Sequence, residues 1–72
     1  RLKDSIFLTD EELYTVLCSY IKKEYLVKTA AELTVQQRID TARYMHFNYN
    51  ASNQQLRRML RIDNAILEEL FP

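Results

Sequence analysis

The residues best suited to chemistry in this 72-residue chain are arginines in its second half. Between residues 38 and 61 there are five arginines against a single acid, Asp40, although the net charge of the whole chain is zero. A guanidinium is planar and always charged, and its forked N–H groups match the oxygens of a phosphate or a carboxylate. The candidate anion contacts are therefore Arg38, Arg43, Arg57, Arg58 and Arg61. The alternative is a solvated surface on which these arginines pair with Asp40, Glu68 and Glu69.

Three of these arginines lie in or next to a short helix that the sequence predicts after Ser52. Ser52 and Gln55 have the spacing of a capping box, in which each side chain bonds the backbone amide of the other residue. Apolar residues then recur at three- and four-residue spacing and form one stripe, which needs a partner to cover it. The stripe consists of Leu56, Met59 and Leu60.

A second short helix is predicted from Asn64 onward. The helical pattern breaks at residues 61–63, and Asp63 is an acceptable N-cap for the new helix. Ile62, just before that cap, is placed to pack against Leu67 as a hydrophobic staple. Two helices joined by so short a turn must cross steeply and need a further helix beneath them. The sequence therefore predicts a helix-turn-helix over residues 52–71.

Two longer helices precede this motif. Thr9 with Glu12 forms a capping box for a long helix over residues 9–24, whose stripe is Leu13, Val16, Leu17, Tyr20 and Ile21. Thr34 with Gln37 does the same for a middle helix over residues 34–46, whose stripe is Val35, Ile39, Ala42 and Met45. We expect Thr29 with Glu32 to start a short turn between the two helices. Residues 1–5 have little pattern and are expected to form an arm or a frayed end.

Composition supports an all-α fold. The chain contains no glycine, and its one proline is the last residue, so tight β-hairpin turns have little support. The helix ends must use other residues in left-handed geometry, for which Asn48, Asn50 and Asn53 are suitably placed. We predict one domain over residues 1–72, a small bundle of three to five helices that ends in the helix-turn-helix. The predicted core is Leu13, Val16, Leu17, Ile21, Ile39, Ala42, Leu56, Leu60, Ile62, Leu67 and Leu70.

The ends and the single cysteine of the chain bear on its context. The chain starts at Arg1 rather than at a methionine, so we expect a piece of a longer protein. One cysteine cannot form an intramolecular disulfide, and no apolar segment is long enough to be a secretory or membrane-spanning segment. We therefore expect a cytoplasmic location and no membrane partner.

The segment Gln55 to Leu70, QLRRMLRIDNAILEEL, resembles the common bacterial helix-turn-helix register. In that register a small residue follows the first leucine and a glycine opens the turn, whereas this chain has Arg57 and Arg61 there. The longer stretch from Arg38 to Pro72 is similar to the C-terminal accessory segment of transposase-like proteins of the REP-associated tyrosine transposase group. It is more distantly similar to the DNA-binding domains of Trp repressor and DnaA.

This resemblance implies a role for each helix of the motif. The first helix would support the second, which would enter the major groove of double-stranded DNA with Asn64, Ala65, Glu68 and Glu69 facing the bases. Asn64 would then read adenine, and Glu68 would accept a hydrogen bond from the cytosine amine. Because two glutamates oppose an approach to phosphates, the same surface could instead bind a protein, with Ile66 and Phe71 as exposed anchors. That alternative is a helical interaction or oligomerisation module, in which the long first helix contributes to a homodimer or packs against the rest of the parent protein.

Catalysis within this chain has little support. The resembling transposases need a histidine pair and a nucleophilic tyrosine, and this chain has one histidine, His46. We interpret His46 as a residue at a helix end, with Phe47 and Tyr49 in the core, rather than as part of a base-stacking site. The sequence also shows no metal-ligand cluster and no glycine-rich phosphate loop, so no metal, cofactor or small-molecule ligand is predicted.

Overall fold

The computed structural model describes residues 7–72, so the predicted arm over residues 1–5 lies outside the described range. The elements are α1 (Asp10–Tyr25), a 3-10 turn (Ala30–Glu32), α2 (Val35–Tyr49), α3 (Asn53–Leu60) and α4 (Asn64–Leu70). Residues 7–72 contain no strand, and the predicted all-α class is confirmed. The pair α3 and α4, joined by residues 61–63, is the helix-turn-helix expected from the sequence.

Reciprocal caps begin the first three α-helices, as the sequence predicts. At α1, the Thr9 hydroxyl accepts from the Glu12 amide at 3.2 Å, and the Glu12 carboxylate accepts from the Thr9 amide at 2.9 Å. The same arrangement starts α2 and α3, with Thr34 paired to Gln37 and Ser52 paired to Gln55. These caps satisfy amides that have no partner inside the helix, which explains why the helix starts could be found from the sequence.

Three α-helices end at residues with left-handed backbone geometry, although none of these residues is a glycine. Leu26, Asn50 and Arg61 each have φ near 57°. Asn50 was among the asparagines expected to adopt this geometry. Leu26 and Arg61 carry full side chains in a region that disfavours a Cβ, which costs about 1 to 2 kcal/mol per residue. The turn between α3 and α4 therefore has the left-handed backbone geometry that is usual for a glycine, but the residue in that geometry is Arg61.

The middle helix differs from its prediction in its length and in part of its buried face. It continues to Tyr49 rather than ending near His46, because the αL residue that closes it is Asn50, whose amide bonds the carbonyls of Met45 and His46. Its expected stripe is also wrong in part, since Val35 is 64% exposed. Ala42 and Met45 of that stripe are buried as predicted, and Thr41 is buried beside them.

One core joins all four helices. Most of the predicted core is confirmed as buried: Leu13, Leu17, Ile21, Ala42, Leu56, Leu60, Ile62 and Leu67. The prediction is wrong for three residues that are only half-buried: Val16, Ile39 and Leu70. The core also includes residues that the prediction omitted: Leu33, Met45, Ala51 and Phe71. Helix α1 packs on α2, and α3 packs on both α2 and α4, so the first two helices form the base on which the helix-turn-helix rests.

Candidate nucleic-acid interface

Helix α3 is fixed on the domain by its two leucines and by its first turn. Leu56 and Leu60 are fully buried. The Gln55 side chain accepts from the Ser52 amide through its oxygen and donates through Nε2 to the carbonyl of Leu8 at 3.1 Å. Since Leu8 immediately precedes the N-cap of α1, α3 is attached to the beginning of α1 as well as to the core.

Helix α4 is held from its inner face and from its C-terminal end. Ile62 and the fully buried Leu67 lie on the inner side, as the predicted staple requires. At the other end, Nδ2 of Asn53 donates to the carbonyl oxygen of Phe71 at 3.2 Å. The start of α3 therefore fixes the end of α4, which determines how α4 is presented.

The N-terminus of α4 departs from the sequence prediction. Asp63 is the N-cap residue, but its side chain makes no capping hydrogen bond. Its backbone carbonyl accepts from the amides of Ile66 and Leu67, at 3.0 and 3.2 Å. Asp63 therefore starts α4 through its backbone alone.

The outer face of α4 carries the four residues that were predicted to face bases. Asn64, Ala65, Glu68 and Glu69 are all exposed, whereas Leu67 on the same helix is buried. Nδ2 of Asn64 donates to Oε2 of Glu68 at 2.9 Å, one turn further along the helix. The two polar side chains are therefore hydrogen-bonded to each other and do not act as independent groups.

A polar groove runs between α3 and α4. Its lining combines residues from both helices: Asn53, Gln54, Arg57, Asn64 and Glu68. Arg57 is thus the predicted phosphate contact that lies beside the exposed face of α4. The groove places one guanidinium and one carboxylate on a shared polar surface.

The other four arginines are distributed over different surroundings. Nη2 of Arg58 lies 2.8 Å from Oδ2 of Asp10, and Arg61 lines a second groove with Arg58, Tyr14 and Thr29. Arg43 is exposed on α2, whereas Arg38 is partly buried. Nη2 of Arg38 donates to the carbonyl of Ala31 at 3.4 Å, and its Nε is buried without a hydrogen bond. The arginines therefore do not form one cluster: Arg57 lines the groove between α3 and α4, and Arg61 is the C-cap residue of α3.

Asp10 is a residue at the candidate site that was not predicted. Its carboxylate accepts from Nε2 of Gln55 at 3.0 Å as well as from Arg58. These hydrogen bonds, first that of Gln55 and then that of Arg58, hold the pKa of Asp10 below its ordinary value. Helical periodicity gives no signal for these contacts, because Gln55 and Arg58 lie 45 and 48 residues from Asp10 in the chain.

The anchors expected for protein binding are not placed as predicted. Phe71 is only 8% exposed, because it packs in the core, and Ile66 is half-buried against that core. The exposed large apolar side chains lie elsewhere: Phe7, Tyr14, Leu26, Val35 and Phe47. The exposed anchor prediction is therefore wrong for Phe71.

The side chain of His46 packs against other residues of the domain. Its ring stacks on Phe71 with a centroid distance of 3.9 Å, and Nδ1 lies 3.3 Å from the carbonyl oxygen of Ala51. Tyr49 packs against the core as expected, but Phe47 is 62% exposed and was wrongly placed there. The imidazole thus packs on the end of α4.

Four of the five tyrosines form an aromatic cluster between α1 and α2. The rings of Tyr20 and Tyr44 are stacked with centroids 4.0 Å apart, and Tyr25 and Tyr49 pack edge-on against them. Burial is the main cause that raises the pKa of Tyr20, and a hydrogen bond with Tyr49 is the main cause for Tyr44. Phenols are already neutral near pH 7, and the raised pKa values are what burial and hydrogen bonding at the edge of a core produce.

Within residues 7–72, no group of three or more histidine, cysteine, aspartate or glutamate residues could hold a metal ion. None of the helices described combines the length and the apolar character needed to cross a membrane. No family model, no curated protein and no solved structure matches this chain. The resemblance of residues 38–72 to transposase accessory segments and to other DNA-binding domains stays a prediction.

Proposed function

We propose that this domain binds double-stranded DNA through α3 and α4, with the outer face of α4 in the major groove. The observation that carries the proposal is the presentation of α4. Leu67 and Ile62 are buried beneath it and Asn53 holds its end, while four residues on its outer face are exposed. A short exposed helix that is fixed on a rigid support is the arrangement by which a helix-turn-helix reads DNA.

Phosphate contacts in this proposal come mainly from residues near the turn. Arg57 lines the groove beside α4, and Arg61 stands at the end of α3. Both are exposed, so each can approach a DNA strand at the edge of the major groove. Arg43 is a more distant candidate on α2. Arg38 contributes least, because its guanidinium is partly buried and bonded to the chain.

The parent protein in this proposal is transposase-like, and this domain is an accessory domain of it. The chemistry of DNA cleavage would lie elsewhere in the parent. The domain would supply affinity for DNA and fix the orientation of the bound duplex. This part of the proposal is supported by the resemblance of residues 38–72.

A salt titration of the domain on a short duplex tests the proposal. We expect binding at low ionic strength that weakens as salt rises, because phosphate contacts release counterions. Arg57→Ala should lower the slope of log K against log salt by about 0.9 units, as the loss of one phosphate contact requires. Lys22→Ala removes the same charge from the far end of α1 and should leave the slope unchanged. The absence of binding by the wild-type domain at low salt would overturn the proposal.

The second candidate function is a helical interaction or oligomerisation module. Several large apolar side chains are exposed, of which Phe7 is 75% exposed and Tyr14 is 55% exposed, at the N-terminal side of α1. Such side chains are suited to contact with a second copy or with the parent protein. Analytical ultracentrifugation distinguishes this function: a dimer that is weakened by Tyr14→Ser, together with no DNA binding, would favour it.

A further inference from the structure

The hydrogen bond between Asn64 and Glu68 determines which groups α4 presents. The amide nitrogen of Asn64 is the donor, at 2.9 Å from Oε2 of Glu68, and both residues are exposed. Residues four apart lie above one another on a helix, so the contact holds both side chains along the same face. A long glutamate side chain that is held in this way loses less rotamer freedom when it binds.

The groups that remain for a ligand are mainly acceptors. A carboxylate has no donor, so Glu68 keeps its second oxygen and its remaining lone pairs for accepting. Asn64 uses one N–H on Glu68 and keeps its carbonyl oxygen as an acceptor and its second N–H as a donor. The Asn64 and Glu68 pair is therefore suited to a partner that donates.

The major groove offers two base donors, the N4 amine of cytosine and the N6 amine of adenine. In adenine, the donor stands beside the N7 acceptor, which repels a carboxylate. In cytosine, no acceptor stands beside the amine on the major-groove edge of that base. A carboxylate held by a neighbouring amide therefore favours cytosine over adenine, and disfavours guanine, whose groove edge carries only acceptors.

We infer, on the basis of the proposed DNA-binding function, that Glu68 determines specificity for a C·G base pair and that Asn64 is its positioning residue. Asn64 therefore acts through Glu68 rather than by reading adenine itself. Arg57, which lines the same groove as this pair, offsets the repulsion between Glu68 and the DNA backbone. Glu69 is equally exposed but lies outside that groove, and it has no such role.

Selection from a pool of randomised duplexes tests this inference with matched variants. The wild-type domain should enrich sites with cytosine at one position, and Glu68→Gln should reduce that discrimination by about tenfold or more. Glu69→Gln removes the same charge one residue away and should keep the cytosine preference. Asn64→Ala should weaken the preference, and adding it to Glu68→Gln should have no further effect, since a positioning residue acts only through its partner.

A modified base gives a second readout. When the selected cytosine is replaced by 2-pyrimidinone, which lacks the amine, the wild-type domain should lose about tenfold in affinity and the Glu68→Gln variant should lose much less. Binding by the wild-type domain without any base preference would overturn the inference and leave the DNA-binding proposal intact. An unchanged cytosine preference in Glu68→Gln would also overturn it. Absence of binding by the wild-type domain at low salt would instead remove the DNA-binding proposal itself.

Discussion

The carboxylate of Asp10 and the guanidinium of Arg58 lie 2.8 Å apart across the interface between α1 and α3. The two side chains are 53% and 47% exposed, so water and salt can reach the pair. A solvent-exposed ion pair of this kind contributes little to stability. Its larger effect is on how available the Arg58 guanidinium is to a ligand, because a phosphate that approaches Arg58 must compete with Asp10.

Asp10→Asn should therefore raise the affinity of the domain for duplex DNA and also steepen its salt dependence. Without Asp10, Arg58 can neutralise one more phosphate and release the cation condensed on it, so the slope should grow by about 0.9 units. Glu11→Gln is the matched control, since it removes the same charge from the next exposed residue and should leave the slope unchanged. Equal slopes for Asp10→Asn and Glu11→Gln in the same titration would contradict the prediction.

The same carboxylate predicts how stability depends on pH. Hydrogen bonds from Gln55 and then Arg58 lower the pKa of Asp10 in the folded chain. A carboxyl with a lowered folded pKa stabilises the fold above its unfolded pKa of about 4, and that contribution is lost as pH falls through the folded pKa. The free energy of unfolding, measured with urea at several pH values below about 4, should fall less steeply in Asp10→Asn than in the wild type. Identical pH profiles for the two proteins would show that the contact does not persist in solution.

Leu60→Ala should destabilise the domain by about 2 to 5 kcal/mol. Leu60 is fully buried at the end of α3, so truncation leaves a cavity next to the turn that leads into α4. Gln54→Ala, on the exposed side of the same helix, should change the unfolding free energy by less than about 0.5 kcal/mol. Chemical denaturation measures both values. A loss below about 0.5 kcal/mol for Leu60→Ala would mean that its burial contributes almost nothing.

Leu26→Gly should stabilise the domain. Leu26 is 86% exposed and ends α1 with φ of 57°, where a Cβ is disfavoured and few side-chain contacts are lost on substitution. Glycine removes this steric cost, and after its greater unfolded entropy is subtracted we expect a gain of up to about 1 kcal/mol. Leu26→Ala removes the same exposed side chain but keeps the Cβ, so it should give no comparable gain. Equal melting temperatures for the two variants would contradict a role for the backbone geometry of residue 26.

Local signals in the sequence explain why most of the fold could be predicted. Thr9, Thr34 and Ser52 each have a Glu or Gln three residues later, and all three pairs form reciprocal caps. The position of α4 could be found because Ile62 and Leu67 are spaced as a staple. These features depend on residues within one or two helical turns of each other.

The failures concern features that depend on tertiary contacts. Val35 fits the apolar period of α2 but is exposed at the first position of the helix, whereas Ala42 and Met45 of the same stripe meet the core together with Thr41. The buried Thr41 is tolerated because its hydroxyl donates to the carbonyl of Gln37 at 2.8 Å. In the candidate site, the four outer residues of α4 were implied by the resemblance to other helix-turn-helix segments, and all four are exposed. The ion pair between Arg58 and Asp10 could not be predicted, because no local pattern around either residue indicates the other residue.

Of the four α-helices described, α4 alone begins without a side-chain cap, and it has only seven residues. A helix of this length is unstable by itself, so its order depends on how well Leu67 and Phe71 pack. Local opening should therefore be easier in α4 than in α1, and its amides should exchange with solvent hydrogen earlier. A partner that engages the outer face of α4 must then keep the helix in its ordered form. Part of the binding free energy would be used to keep it ordered, so the measured affinity would depend on the stability of α4 as well as on the groups it presents.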